Sequence, residues 1–301
     1  MTDNGVEQKP SDTALFAALR RTIANKEFGN EMYGPDYLAE KFLPPHFRFF
    51  LKFKKIRANT KERLNEFLPG LNEYMIARTA YFDHLFVEAL KDQTSQVVFL
   101  GAGYDTRAYR FANLNHGTRI FELDIAPTQD RKRKCIKSAR LKVPEFLTFI
   151  PIDFNHQSLA DVLGEAGYQS HLKTLFIWEG VSYYLDAASV DRTFEIASKA
   201  AHPESSIAFD YIVSISKENI DDYYGVKEFS QTMREQHPNE DLLFSIDEGE
   251  IESFLEQRGL RVVEYLNNDD IEKRYFMDEE GSMPGQITGH FCFALASRVA
   301  G

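Results

Sequence analysis

Between Gln96 and Arg110 the chain reads Gln-Val-Val-Phe-Leu-Gly-Ala-Gly-Tyr-Asp-Thr-Arg-Ala-Tyr-Arg, an apolar strand pattern that ends in the glycine turn Gly101-Ala-Gly103. Glycine has no Cβ and tolerates left-handed backbone, so a turn of this kind lets the main chain approach a ligand closely. About twenty residues further on, a second apolar strand ends in Phe121-Glu-Leu-Asp124, which puts a carboxylate where ribose hydroxyls can be held. Strand, glycine turn and acidic strand tip together predict a nucleoside-binding crevice.

The neighbouring residues narrow the choice of nucleoside. A dinucleotide fingerprint requires a third glycine where this chain has Thr106, and a carboxylate at Asp105 would repel a pyrophosphate. An NAD-dependent oxidoreductase is therefore disfavoured. A cofactor with a cationic amino-acid end suits the turn better, and S-adenosylmethionine has one, together with a ribose and an adenine. Asp124 can take both ribose hydroxyls, or cap the helix that starts near Pro127. Asp153, in Ile150-Pro-Ile-Asp-Phe154, can receive the adenine amino group with Phe154 on the ring, or cap a helix. Glu179 follows a buried apolar run, Leu175-Phe-Ile-Trp178, where a carboxylate needs a partner: a cofactor cation or backbone donors. Arg78 is a cation within an apolar helix, able to clamp a carboxylate bidentately or to pair with Asp83 or Asp105.

These groups need elements that bring them to one edge. Residues 1–12 are polar and without periodicity, and are expected to be disordered. From 13 to 91 the pattern is helical. Ser11 or Asp12 can cap a first helix, Pro35, Pro44 and Pro45 divide the next stretch, and Pro69-Gly70 precedes a long buried helix. Strand and helix patterns then alternate through 92–301, with strands expected near 96–100, 119–123, 147–152, 174–178, 206–212, 261–266 and 289–297. The fold class is α/β: a doubly wound seven-stranded sheet whose last strand is antiparallel, preceded by an N-terminal helical cap. Residues 215–255 read as an insertion that can cover the cleft.

Composition sets the outer limits. The 301 residues are 43% hydrophobic and 13% aromatic, which fits a globular protein, and no apolar run reaches the roughly 18 residues of a membrane helix. No secretory signal is visible at the N-terminus, so a cytoplasmic protein without membrane partners is expected. Cys135 and Cys292 lack metal-ligand spacing. A net charge of -11 disfavours nucleic acid, and the basic run Arg131-Lys-Arg-Lys134 reads as a solvated helix face. No magnesium-type cluster of acids is present beyond those already discussed, and no metal is expected.

In this order, Ala77-Arg-Thr79, Leu100-Gly-Ala-Gly-Tyr-Asp-Thr-Arg-Ala-Tyr-Arg110, Phe121-Glu-Leu-Asp124, Ile152-Asp-Phe154 and Trp178-Glu-Gly-Val-Ser-Tyr-Tyr-Leu185 resemble the leucine carboxyl methyltransferase family. The resemblance covers about Tyr74 to Tyr184. It extends to bacterial relatives such as tetracenomycin-type polyketide carboxyl O-methyltransferases, which implies a role in secondary metabolism. The fold it implies is that of a class I methyltransferase using S-adenosylmethionine. In its terms Arg78 binds the cofactor carboxylate, Gly101 lies under the methionine, Asp124 holds ribose, Asp153 and Phe154 flank adenine, and Glu179 lies beside the methionine. Ser182-Tyr183 intervene where the family has Leu or Met before its tyrosine, so substrate contacts do not carry over.

The expected reaction is in-line O-methyl transfer to a carboxylate or hydroxyl of a small molecule. A carboxylate needs no base, whereas a hydroxyl does, and His84, His237 or His290 could serve if they are not structural. No catalytic residue is assigned. Tyr183, Tyr184, Asp210 and Tyr211, near the ends of the fourth and fifth strands, are candidates for the acceptor pocket, or for core packing and a loop cap. A protein C-terminal carboxylate as acceptor, and a non-catalytic cofactor-binding module, remain as alternatives.

Overall fold

The computed structural model describes residues 9–29, 35–154, 156–216, 218–236, 242–277, 280 and 285–299. Residues 1–8 of the expected disordered N-terminus, and His237, lie outside them. The chain opens with α1 (Asp12–Phe28), and the Ser11 side chain caps it by accepting from the Ala14 amide at 3.0 Å. Short α2 (Pro45–Phe50) begins where proline at the first turn removes no needed amide. Helix α3 (Lys54–Phe67) follows, then α4 (Leu71–Lys91), which is buried at most positions from Asn72 to Asp83.

Beyond α4 come β1 (Gln96–Leu100), α5 (Arg107–Arg110), β2 (Arg119–Asp124), α6 (Ala126–Ser138), β3 (Leu147–Pro151), α7 (Leu159–Glu165), β4 (Thr174–Trp178), α8 (Ala187–Glu195) and β5 (Ser206–Ser214). The chain closes with α9 (Val226–Gln236), β6 (Ile246–Asp247), α10 (Ile251–Glu256), β7 (Leu260–Leu266), α11 (Asn268–Tyr275) and β8 (Phe291–Arg298). The sheet order is β3-β2-β1-β4-β5-β8-β7, with β1 to β5 parallel and β8 antiparallel to both its neighbours. All seven expected strands form. The two-residue β6, paired to the end of β5, is an addition too short to leave a periodic signal. The last strand starts at Phe291 because Gly289 and His290 form a turn.

Strand order reverses between β1 and β4, the place where open sheets of this kind bind ligands beyond the carboxyl ends of their strands. The sheet is apolar on both faces, since helices cover both. One core packs Val97, Phe99, Ile177 and Phe293 against Tyr74, Tyr81 and Phe82 of α4. The other packs Leu100, Phe176, Trp178 and Phe209 against α8 and α10. A third cluster joins α1 to the segment after β1: Leu19 and Ile23 pack with Phe42, Leu51 and Tyr104, and the Tyr104 ring stacks on Phe42 at 5.2 Å. In the expected insertion, α9 is tied to the body where Thr232 donates to the Phe67 carbonyl (2.8 Å) and Phe229 packs edge-on to Phe291.

Candidate functional site

The glycine turn is built as its residue types require. Gly101 has φ +71°, and a Cβ there would lie 2.4 Å from Cγ2 of Val181, so the turn after β1 sits directly against the turn after β4. The Ala102 amide donates to the Leu123 carbonyl at 2.8 Å, which ties the turn to the end of β2. Asp124 then accepts from the Gly103 amide at 2.5 Å and from its neighbour Ile125 at 2.7 Å. Burial pushes the Asp124 carboxyl up to about 6, even though both amides favour its charge. Gly101, Gly103 and Asp124 thus form one unit.

A web of guanidinium and carboxylate groups faces it. Arg78, on the sheet side of α4, lies 3.0 Å from Glu179 and 3.3 Å from Asp210, and donates to the Tyr183 hydroxyl at 3.3 Å. Burial works against its charge, but Glu179, with Asp210 and the tyrosines, outweighs that and raises its pKa. Asp210 also accepts from the Gly180 amide (2.6 Å) and from the Tyr74 hydroxyl, while burial raises its own pKa against the pull of Arg78. Gly180 has φ +73°, and a Cβ there would meet Arg78 Nη1 at 2.9 Å, so glycine is what lets the guanidinium come close.

Glu179 is shared: its other oxygen accepts from Arg107 at 2.7 Å. Arg107 also holds Asp83 at 2.8 Å and pairs with Asp105, and Arg110 grips Asp83 through two bonds of 2.6 and 2.7 Å. Asp83 and Asp105, the partners weighed for Arg78 from sequence, belong instead to these two arginines. Burial would raise Asp105, but Arg107 brings it below the usual carboxylate range. Arg107, Arg110 and Tyr74 were not singled out from sequence, although two arginines three apart after a strand, in Asp-Thr-Arg-Ala-Tyr-Arg, are a visible signal for a turn that presents both to one side.

The other expected residues stand outside this web of ion pairs. Asp153 lies at the end of β3 with its carboxylate 2.7 Å from His156 Nδ1, and its amide donates to Gln157; Phe154 is half-buried against the α8 side of the sheet. Tyr183 is buried beside Asp210, and Tyr184 packs edge-on to it. Tyr211 follows Asp210 in β5 and so points to the opposite face, against Phe209 and away from Arg78. His84 is exposed on α4. His290 is buried against Phe229 and Phe291, its Nδ1 has no partner among the described residues, and burial pushes its pKa down to about 3. The basic run on α6 is not wholly solvated: Lys132 turns inward to Glu122 (2.5 Å), whose carboxyl burial pushes up to about 7. Among the described residues, no group of three or more His, Cys, Asp or Glu is arranged to hold a metal.

This sheet order defines a class I methyltransferase fold. The chain superposes on a Thermobifida fusca structure described as a candidate methyltransferase with TM-score 0.60 at 15% identity, covering 97% of this chain and 96% of that one. A DUF574 family protein of Streptomyces avermitilis gives TM-score 0.59 at 14% identity over 98% and 99%. The leucine carboxyl methyltransferase family model matches residues 14–198, and the chain belongs to that family. YktD of Bacillus subtilis, named as a candidate S-adenosyl-L-methionine-dependent methyltransferase, is 30% identical over 73% of this chain and 71% of its own length. A similarly named protein of Mycolicibacterium paratuberculosis is 33% identical, but the match spans only 51% of this chain and 47% of that protein. The chain is a methyltransferase whose cofactor is S-adenosyl-L-methionine.

Proposed function

We propose that this protein transfers the methyl group to a carboxylate of a small molecule, and that Arg78, Gly101, Gly103, Asp124, Asp153, Phe154 and Glu179 form the cofactor site. The observation that carries this reading is the Arg78–Glu179 ion pair set beside the glycine turn. Arg78 would hold the cofactor's carboxylate and Glu179 its ammonium, an exchange of partners that leaves neither buried charge uncompensated. Gly101 and Gly103 let the turn after β1 lie close against Val181 and Ala14 while its backbone faces Asp124, and Asp124 would accept from ribose hydroxyls. When bound, the cofactor supplies an electrophilic methyl group on a sulfonium. Asp210, fixed by Gly180 and Tyr74, keeps Arg78 in place.

The acceptor follows from proton bookkeeping. Asp210 and Glu179 are tied to guanidinium groups, and at about 3 His290 is a weak base. An acceptor that arrives already ionised suits such surroundings, whereas a hydroxyl would need its proton removed. Helices α1 and α4, with α9 of the 215–255 segment, would close over it and exclude water. The family's name favours a carboxylate as well.

Two measurements test this. Calorimetry with S-adenosylhomocysteine is expected to show binding that Arg78→Ala weakens at least about tenfold, as for loss of a charge-assisted pair; unchanged affinity would refute the site. A labelled-methyl screen of small acids, phenols and peptides with free C-termini should label small acids. Labelled phenols alone would establish the hydroxyl reading in its place, and labelled peptides alone a protein C-terminal acceptor.

A further inference from the structure

The segment Pro44 to Arg57 is unlike the rest of this acidic chain. It carries Arg48, Lys52, Lys54, Lys55 and Arg57 and no acidic residue, in a protein of net charge -11. None of the five forms an ion pair among the described residues, whereas Lys26, Lys41 and Lys61 close by are each paired with glutamate. Among these charges stand four large rings, Phe47, Phe49, Phe50 and Phe53, exposed at 41, 55, 49 and 49%. Phe49 touches Phe50 and Phe53, with centroids 5.7 and 5.5 Å apart, so the rings form a patch rather than isolated exposures.

The patch is held out from the body. Neither α2 nor α3 has a buried residue, and Leu51, at 2% exposure, is the anchor between them. Arg57 donates to the carbonyls of Leu51 and Lys52 at 3.0 and 3.1 Å, which fixes the bend that presents the rings. Adjacent aromatic rings interleaved with basic side chains match the interface of an anionic bilayer, where rings enter the acyl boundary and cations meet headgroups. A second copy fits less well, because a two-fold contact would set the basic face against itself. No helix among the described residues is long and apolar enough to cross a membrane, so the contact would be peripheral.

We propose that the α2–α3 face docks this enzyme onto an anionic lipid surface, a property independent of the acceptor reading above. Each basic residue near such a surface contributes roughly fivefold to partitioning, so removing three positive charges should cost roughly a hundredfold and reversing them to glutamates more than that. The test is co-sedimentation of the full chain with vesicles of phosphatidylcholine alone and of three parts phosphatidylcholine to one part phosphatidylserine. Binding is expected only to the second kind and should weaken as salt rises. The triple variants Lys52→Glu/Lys54→Glu/Lys55→Glu and Phe49→Ser/Phe50→Ser/Phe53→Ser should each abolish it while S-adenosylhomocysteine binding persists as a check on folding. Should the aromatic variant fail to fold, the lysine variant alone decides. Equal binding to both vesicle types, no binding to either, or anionic-vesicle binding that survives the lysine variant would overturn the proposal. So would a dimer in sedimentation that the aromatic variant dissolves, which would assign the face to self-association.

Discussion

Gly101→Ala is the sharpest probe of the crevice floor. At φ +71° any side chain sits in left-handed backbone, which costs about 1–2 kcal/mol. The new methyl would also lie 2.4 Å from Val181 Cγ2, and overpacking of that kind costs typically about 1–3 kcal/mol. Together the loss is about 2–5 kcal/mol, a large part of the stability of an ordinary domain. The two contributions can be separated, because Val181→Ala removes the clashing methyl and leaves the backbone cost untouched. Urea unfolding of the parent, both single variants and the double variant should therefore give a coupling of about 1–3 kcal/mol, with a residual penalty of about 1–2 kcal/mol. In Gly101→Ala the turn must also shift relative to Asp124, and S-adenosylhomocysteine affinity should fall by about tenfold or more. If Gly101→Ala unfolds within about 0.5 kcal/mol of the parent and binds as tightly, the close-approach reasoning is wrong.

Two further predictions concern pH. Burial depresses His290 to about 3, so the folded protein keeps it neutral while the unfolded chain takes up a proton below its ordinary value; stability present above about 6.5 is lost at roughly 1.4 kcal/mol per unit as pH falls toward 3. His290→Phe should flatten that acid limb by the equivalent of one proton in unfolding titrations, and an unchanged slope would show that His290 is not held neutral. Asp124 acts with the opposite sign: its folded value is raised to about 6, so its contribution is present at acid pH and lost as pH rises through 6. Its ionised form is the better acceptor for ribose hydroxyls, so S-adenosylhomocysteine affinity should rise through about pH 6, and Asp124→Asn should flatten the calorimetric profile.

Much of the scaffold was readable because it is encoded locally. Five apolar strand runs separated by helical stretches predict parallel crossovers, and the apolar alternation from Phe291 onward marks the strand that turns out antiparallel. The turn at Gly101 and the acid at Asp124 were legible for the same reason: each is the end of a strand whose partner is its neighbour in the sheet. The placement of Tyr211 was also present in the pattern, since it cannot share a face with Asp210 in one strand. Lys132 illustrates the limit, because only the packing of α6 on β2 distinguishes one lysine of a basic run as buried.

From its residues alone this chain determined the strands, the glycine turn and the kinds of groups at the strand tips, because period and backbone preference act over a few residues. Only the tertiary structure decided which charge meets which. Arg78 pairs with Glu179 and Asp210, about a hundred residues or more along the chain, while nearby Asp83 goes to Arg107 and Arg110. Pairing among buried charges is settled by which helix face lies on which strand end, and that depends on the packing of the whole sheet rather than on separation along the chain.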